Sequence, residues 1–275
     1  GDAVSVSFDI DITNGSPGLS LRTALNGGNT ASNSATYTTS GSKTATLTGN
    51  KSYVGIGFTE GDAPSNFTVS NFKVLGNGFV ETWYDQSGNS EDAVQETAGS
   101  QPKIVNAGSL VANGLDFDGS DDKLNIPNDL IASINSASSF LVAKSDTTSS
   151  SRIALALSHS TSNFRFYVGA LLSSKFNFGY QNTALKIELS SADTNKHLFT
   201  SIAGSSNAEA FLDGTSKGTV SSVDGKSTLS SGGIGSINSG NFWSGTIEEV
   251  IVYNTDQSAN RVALEANIIT NYGIS

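Results

Sequence analysis

The sequence predicts an all-β protein made of two β-sandwiches and closed by one C-terminal helix. Three observations carry this. Apolar and polar residues alternate at period two along most of the chain, the rhythm of strands with one buried face. Short runs of Gly, Ser, Asn, Asp and Pro part these segments at close intervals, and 29 of the 275 residues are glycine. Only one segment, near the C-terminus, has helical spacing.

The alternation starts at once. Val4, Val6, Phe8, Ile10 and Ile12 fall on one face of a strand, and Ser5, Ser7, Asp9 and Asp11 on the other. Runs at 19–25, 34–38, 43–48, 53–58 and 67–74 follow, separated by NGSPG, NGGN, SGS, GN and EGDAPSN. About six strands without a helical period predict a small sandwich over residues 1–76. The segment LGNG, 75–78, reads as a hinge.

Residues 77–275 read as a larger β-rich domain. Leu115 and Phe117 alternate with Asp116 and Asp118, and further strands are expected at 139–143, 153–157, 164–168, 176–180, 184–189 and 197–202. Two runs flanking Asp213-Gly214 read as a hairpin with a tight turn. The run 246–253 is mostly apolar, as a central strand would be. In SANRVALEANIITNYG the residues Val262, Ala266 and Ile269, with Ile268 and Tyr272 beside them, predict a helix over about 259–272. Ser258 suits its N-cap and Gly273 the position past its end.

Composition excludes several classes. With 36 % hydrophobic and 15 % charged residues, the chain is not a disordered polyelectrolyte. A net charge of −10 and no basic cluster exclude a nucleic-acid binder. Without cysteine there are no disulfides and no thiolate-bound zinc. No apolar run is long enough to span a membrane. The opening GDAVSVSFDIDI reads as a strand rather than a signal peptide, and with no Met at position 1 the chain is expected to be processed or part of something longer.

The stretches FVETWYDQSGNSEDAVQETAGSQPKIV and GLDFDGSDDKLNIP, with GTIEEVIVYN and a terminal helix ending in NYGI, resemble laminin-G-like, concanavalin-type sandwich domains over roughly 79–275. Such domains are frequent in bacteriophage virion proteins, as parts of fibres, spikes and capsid decorations, and occur in secreted bacterial proteins. The first 75 residues resemble the carbohydrate-binding sandwiches that often precede them, with NFTVSNFKV as the closing strand. The resemblance implies a concanavalin-like jelly roll for the second domain, and a non-catalytic virion-surface or extracellular protein. Its partners would be host or environmental glycans, other virion or surface proteins, and further copies of itself. WYDQSGN also resembles the start of the catalytic domain of arabinofuranosidases, which leaves a glycoside hydrolase as one alternative. A purely structural or adhesive module is another.

Several residues are candidates for a site. Trp83 and Tyr84 are adjacent on a strand, so one ring can enter the core while the other stays outside to stack on a sugar. Asp85, Gln86, Ser87, Gly88 and Asn89 then form a turn. Trp243, in the Gly-rich SGNFWSG, is the candidate for an exposed stacking ring on a rim loop. Asp116, Asp118, Asp121 and Asp122 place four carboxylates within seven residues, and a hard cation such as calcium would take those oxygens. The run is not an EF-hand, since Gly119 comes too early and no Glu closes the loop. Glu248 and Glu249 form a carboxylate pair, but neighbours on a regular strand point opposite ways and could not face one sugar. Each is expected in a structural hydrogen bond or ion pair. His159 and His197 lie in no triad order or ligand spacing and are expected at the surface or satisfied in the core. Phe164, Phe166, Phe176, Phe178 and Tyr180 alternate along two strands. They are expected to pack the core, or to line a groove if that sheet were open.

Overall fold

A computed structural model describes residues 4–14, 18–24, 34–47, 53–59, 66–112, 114–127, 137–149, 151–159, 165–180, 185–204, 207–221, 232–236 and 240–275. The chain divides into two units, Gly1–Gly78 with Val105–Leu110, and Phe79–Ile104 with Val111–Ser275.

The first unit holds β1 (Val4–Asn14), β2 (Gly18–Ala24), β3 (Ser34–Tyr37), β4 (Gly41–Leu47), β5 (Tyr53–Thr59) and β6 (Asn66–Leu75). They form two antiparallel sheets, β4-β1-β6 and β3-β2-β5. Val6, Phe8 and Ile10 of β1 are buried with Ala45 of β4. The Tyr37 ring of the second sheet meets Phe8 edge-on, centroids 5.2 Å apart. The alternation in β1 thus has the physical cause assigned to it: one face packs, and the other carries Ser and Asp. Most turns named from the sequence in this unit lie outside the described residues.

The second unit begins with short strands: β7 (Gly78–Phe79), β8 (Thr82–Trp83), β9 (Ala93–Val94), β10 (Lys103–Asn106), β11 (Ser109–Leu110), β12 (Leu115–Asp118) and β13 (Leu124–Ile126). Of these, Gly78, β11 and the end of β10 group with the first unit. Longer strands follow: β14 (Ala137–Ser145), β15 (Arg152–His159), β16 (Arg165–Leu172), β17 (Lys175–Tyr180), β18 (Leu185–Ser191), β19 (Lys196–Ala203), β20 (Asn207–Leu212), β21 (Thr215–Ser221), β22 (Gly232–Ile234) and β23 (Ser244–Tyr253). A helix, α1 (Arg261–Tyr272), ends the chain. One antiparallel sheet runs β12-β23-β14-β19-β20-β21, and the other β18-β17-β16-β15-β22-β13-β9-β8. The fold is an all-β sandwich with one C-terminal helix.

The main core fills the space between these sheets. Leu115, Phe117, Leu141, Phe199 and Ile247 of the first pack with Leu155, Phe166, Val168, Phe176 and Phe178 of the second. Phe166 with Phe178, and Phe176 with Phe199, meet edge-to-face at 5.5 and 5.2 Å, the arrangement that ring quadrupoles favour. Phe166, Phe176 and Phe178 are therefore core and line no groove; Phe164 and the Tyr180 side chain lie outside the described residues.

The first sheet is covered on its other face as well. There Phe140, Val142, Leu198, Ile202 and Phe211 pack with Ile268 and Ile274. Two-sided cover explains why β14 reads FLVA without alternation. The strand from 246 is central, lying between β12 and β14. The turn after β20 uses Asp213 and Gly214 in left-handed conformation, φ 51° and 77°, the geometry that fits a two-residue hairpin to strand twist.

Two expectations for α1 are corrected. Asn260, not Ser258, stands at its N-cap, because the Ser258 amide donates to Asp256 Oδ1 and that turn keeps 256–258 out of the helix. Val262 and Ala266 are exposed; the inward stripe is Glu265 and Ile268, which are buried, with half-buried Leu264, Ile269 and Tyr272. Arg261 sets this phase: its guanidinium lies 3.9 Å from the Phe211 ring centroid and bonds Glu265 one turn on. Gly273 closes the helix as expected, at φ 61°.

Candidate functional site

β8 pairs with β9, Thr82 opposite Val94 and Trp83 opposite Ala93, and residues 84–92 form the loop between them. Trp83 is half-buried and packs on the main core. Tyr84, the first residue of the loop, is 66 % exposed. The loop is organised by one carboxylate. Asp85 accepts the Ser87 amide at 2.8 Å and its hydroxyl at 2.7 Å, and the amides of Asn89 and Glu91 at 3.2 and 3.3 Å. The Asp85 amide in turn donates to Asp92 Oδ1 at 2.8 Å. These donors stabilise the charged form, and Asp85 is held down at about 2, chiefly by Ser87. Gly88 and Ser90 take left-handed conformations, φ 86° and 65°, which let the chain curl around the carboxylate. The result is an exposed aromatic ring beside a fixed polar loop with Gln86 and Asn89 on its surface.

The acidic run folds into a second turn. Asp118 Oδ1 accepts the amides of Ser120 and Asp121 at 2.7 and 3.3 Å, and the Asp118 amide donates to Asp122 Oδ2 at 2.9 Å. Carboxylate oxygens of Asp118, Asp121 and Asp122 lie within 4.8 Å of one another. Asp122 is 6 % exposed. Burial first, then the charges of Asp118, Asp121 and Asp116, push its carboxyl up to about 6, against the pull of the Asp118 amide. Hard, anionic oxygen donors in this number suit calcium, although the carbonyl of Gly119 is taken by the Arg152 guanidinium. Asp116 is not part of the group, which corrects its place among the metal candidates. It sits opposite Lys103 in the β10–β12 pairing and forms an ion pair with it at 3.8 Å.

Trp243 is also corrected. It is fully buried, at 0 % exposure, in the main core. The loop that carries it is tied inward: its amide donates to the Gly235 carbonyl at 2.6 Å, and Arg152 donates to the Phe242 carbonyl at 2.8 Å. Gly235, at φ 83°, leaves space that a Cβ would take from the Phe117 ring. A large indole in a Gly-rich segment fills the sandwich rather than decorating its rim.

Glu248 and Glu249 contradict the expectation that they face opposite ways. The β14–β23 register slips between Val142 and Ala143, pairing them with Glu249 and Ile247 and leaving Glu248 unopposed. Ile247, Val250 and Val252 point into the main core, and Ile251 and Tyr253 toward the helix layer. The bulge therefore turns both glutamates to the helix side. Their expected structural roles do appear. Glu248, its side chain 2 % exposed, pairs with Lys196 at 2.8 Å. Glu249 accepts from the Tyr272 hydroxyl, which burial and then the Glu249 charge push up to about 12. The Glu248 carboxylate is therefore closed to a sugar, and Glu249 is half-buried against Tyr272.

Sequence reasoning missed one constellation. His197 Nδ1 lies 2.7 Å from Asp213 Oδ2, and Nε2 lies 3.0 Å from Asp193 Oδ1. Asp193 stands one i,i+4 step before His197, and Asp213 is the hairpin residue already singled out, so the local signals were present while their meeting depended on the sheet. The side chain of His159 lies outside the described residues.

Solved structures similar to this chain include domain 4 of AbnA, a GH43 extracellular arabinanase from Geobacillus stearothermophilus, in complex with arabinotriose. It is 11 % identical with a TM-score of 0.47, covering 69 % of this chain and 87 % of that one. A heptameric SAP-like pentraxin from Limulus polyphemus is 14 % identical with a TM-score of 0.42, covering 54 % and 78 %. The CBM40 of a Ruminococcus gnavus IT-sialidase, bound to α2,3-sialyllactose, is 13 % identical with a TM-score of 0.42, covering 56 % and 94 %. No protein-family model and no curated protein sequence matches the chain.

Proposed function

We propose that the chain is a non-catalytic glycan-binding module whose larger unit reads sugars through Tyr84. One observation carries this reading: a tyrosine ring, 66 % exposed, stands beside a loop already fixed by its own carboxylate. Such a ring offers apolar area to the C–H face of a sugar, and the fixed loop brings amide and hydroxyl groups without an ordering cost on binding. Between Lys73 and Lys103 there is no Lys or Arg, whereas Glu81, Asp85, Glu91, Asp92 and Glu96 are acidic. This favours neutral glycans over sulfated or sialylated ones. Each contact is shallow, so useful affinity comes from repetition on a homo-oligomer. The resemblance to bacteriophage sandwich domains supports a place on a virion surface or outside the cell, as a fibre or capsid decoration beside other virion proteins.

The burial of Glu248 against Lys196, and the engagement of Glu249 by the Tyr272 hydroxyl, favour the non-catalytic reading over a glycoside hydrolase. For Asp118, Asp121 and Asp122 we propose calcium, held by their oxygens at a turn outside the sugar contact. A glycan array of the whole chain, with and without chelator, tests the sugar reading, and thermal scans with and without chelator test the calcium. Neutral glycans bound equally in the two conditions support the reading, and an empty array favours a structural or adhesive module.

A further inference from the structure

The His197 side chain is bonded at both ends by acceptors. Asp213 and Asp193 each already accept a backbone amide, Leu198 N at Asp213 Oδ1 (2.9 Å) and Asn195 N at Asp193 Oδ1 (2.7 Å), as carboxylates do. A neutral imidazole has a single N–H and can donate to only one of them; the other ring nitrogen would then set its lone pair against a carboxylate oxygen 2.7 or 3.0 Å away. Both contacts are favourable only when the ring is the imidazolium, which donates from both nitrogens. The two carboxylates come from different places in the chain: Asp193 from the turn between β18 and β19, and Asp213 from the turn between β20 and β21. Uncharged Phe176 of β17 and Phe199 of β19 pack on the ring with centroids at 5.5 and 5.9 Å, and Ala143 faces it from β14. Lys196, the adjacent cation, is occupied by Glu248.

We propose that His197 is a proton-operated clasp: as an imidazolium it ties the β18–β19 turn to the β20–β21 hairpin, and as a neutral ring it lets one of them go. Burial works against the charged ring, but the hydrogen bond and charge of Asp213, and then of Asp193, outweigh it, and the net direction is upward from an ordinary histidine. The sign follows from linkage. A group held above its unfolded value adds stability that is complete below about pH 6.5 and is lost as pH rises through the higher folded value. The clasp is closed in mildly acidic surroundings and loosens on the alkaline side.

The test is an NMR titration of the whole protein, following the His197 ring nitrogens together with amide exchange at Asn195 and Leu198. A ring that carries both protons at pH 6.5 and loses one at higher pH is expected, with the protection of these amides, taken relative to the base-catalysed intrinsic rate at each pH, falling about tenfold over the same interval. In Asp193→Asn, which alters a carboxylate with 43 % of its side chain exposed and so keeps the fold, the midpoint moves down. A ring already neutral at pH 6, a midpoint unmoved by Asp193→Asn, or amides that ignore the ring's titration would each overturn the proposal.

Discussion

Two aspartate turns in the larger unit show how one residue type is pushed in opposite directions from its ordinary acidity. Asp85 gathers three amides and a hydroxyl, and its carboxyl is held at about 2. Asp122 accepts the single amide of Asp118, is nearly buried, and sits among other carboxylates; its carboxyl rises to about 6. Both lie in short polar runs rich in Asp, Ser and Gly, DQSG and DGSDD. The difference lies in what surrounds the carboxyl: donors in one turn, burial and like charges in the other. The first turn is complete in itself and free to present Tyr84, whereas the second calls for a proton or a cation.

The largest expected effect comes from removing the strain at Asp122. Because its folded value lies above its unfolded one, the ionised native form is disfavoured, and stability falls as pH rises from about 4 to about 6. Asp122→Asn keeps an oxygen for the Asp118 amide and removes the charge. It should be more stable than the parent by about 2 kcal/mol at pH 7, with the gain fading toward pH 4, as read by urea unfolding at both pH values. A gain of equal size at both would mean that the charge is not the cause. Calcium is the next lever. At ten times its Kd it should stabilise the parent by about 1.4 kcal/mol at pH 7, and it should act much more weakly on Asp122→Asn. Thermal scans with and without chelator read this, and two proteins responding alike would remove the cation from the comparison. The smallest effect should come from Asp85→Ala. Asp85 is a half-buried loop residue in none of the hydrophobic clusters, so the global midpoint should hold while amide exchange at Ser87, Asn89 and Glu91 quickens about tenfold. In the parent those amides should stay protected until pH falls through about 2.

Much of the fold is legible in the sequence because it depends on local periodicity. The alternation of Val4 to Ile12, the Asp213-Gly214 turn and the Gly273 cap need only neighbours a few residues away. The split between Trp83 and Tyr84 matches the strand expectation, although β8 ends at Trp83 and Tyr84 is the first residue of the loop. What the sequence does not reveal depends on which strand lies beside which. A one-residue register slip puts Glu248 and Glu249 on one face. The partner Lys103 withdraws Asp116 from the acidic cluster. Trp243 enters the core because distant Gly235 and Arg152 hold its loop inward. His197 meets Asp213 only because β19 and β20 are neighbours.

The central claim is that the ring of Tyr84 contacts sugar, and the most direct measurement is calorimetric titration of Tyr84→Ala against the neutral glycan that the parent binds best on an array. The ring is exposed, so the variant should fold and melt like the parent while its affinity falls about tenfold or more. Equal affinity in a well-folded Tyr84→Ala protein would contradict the account.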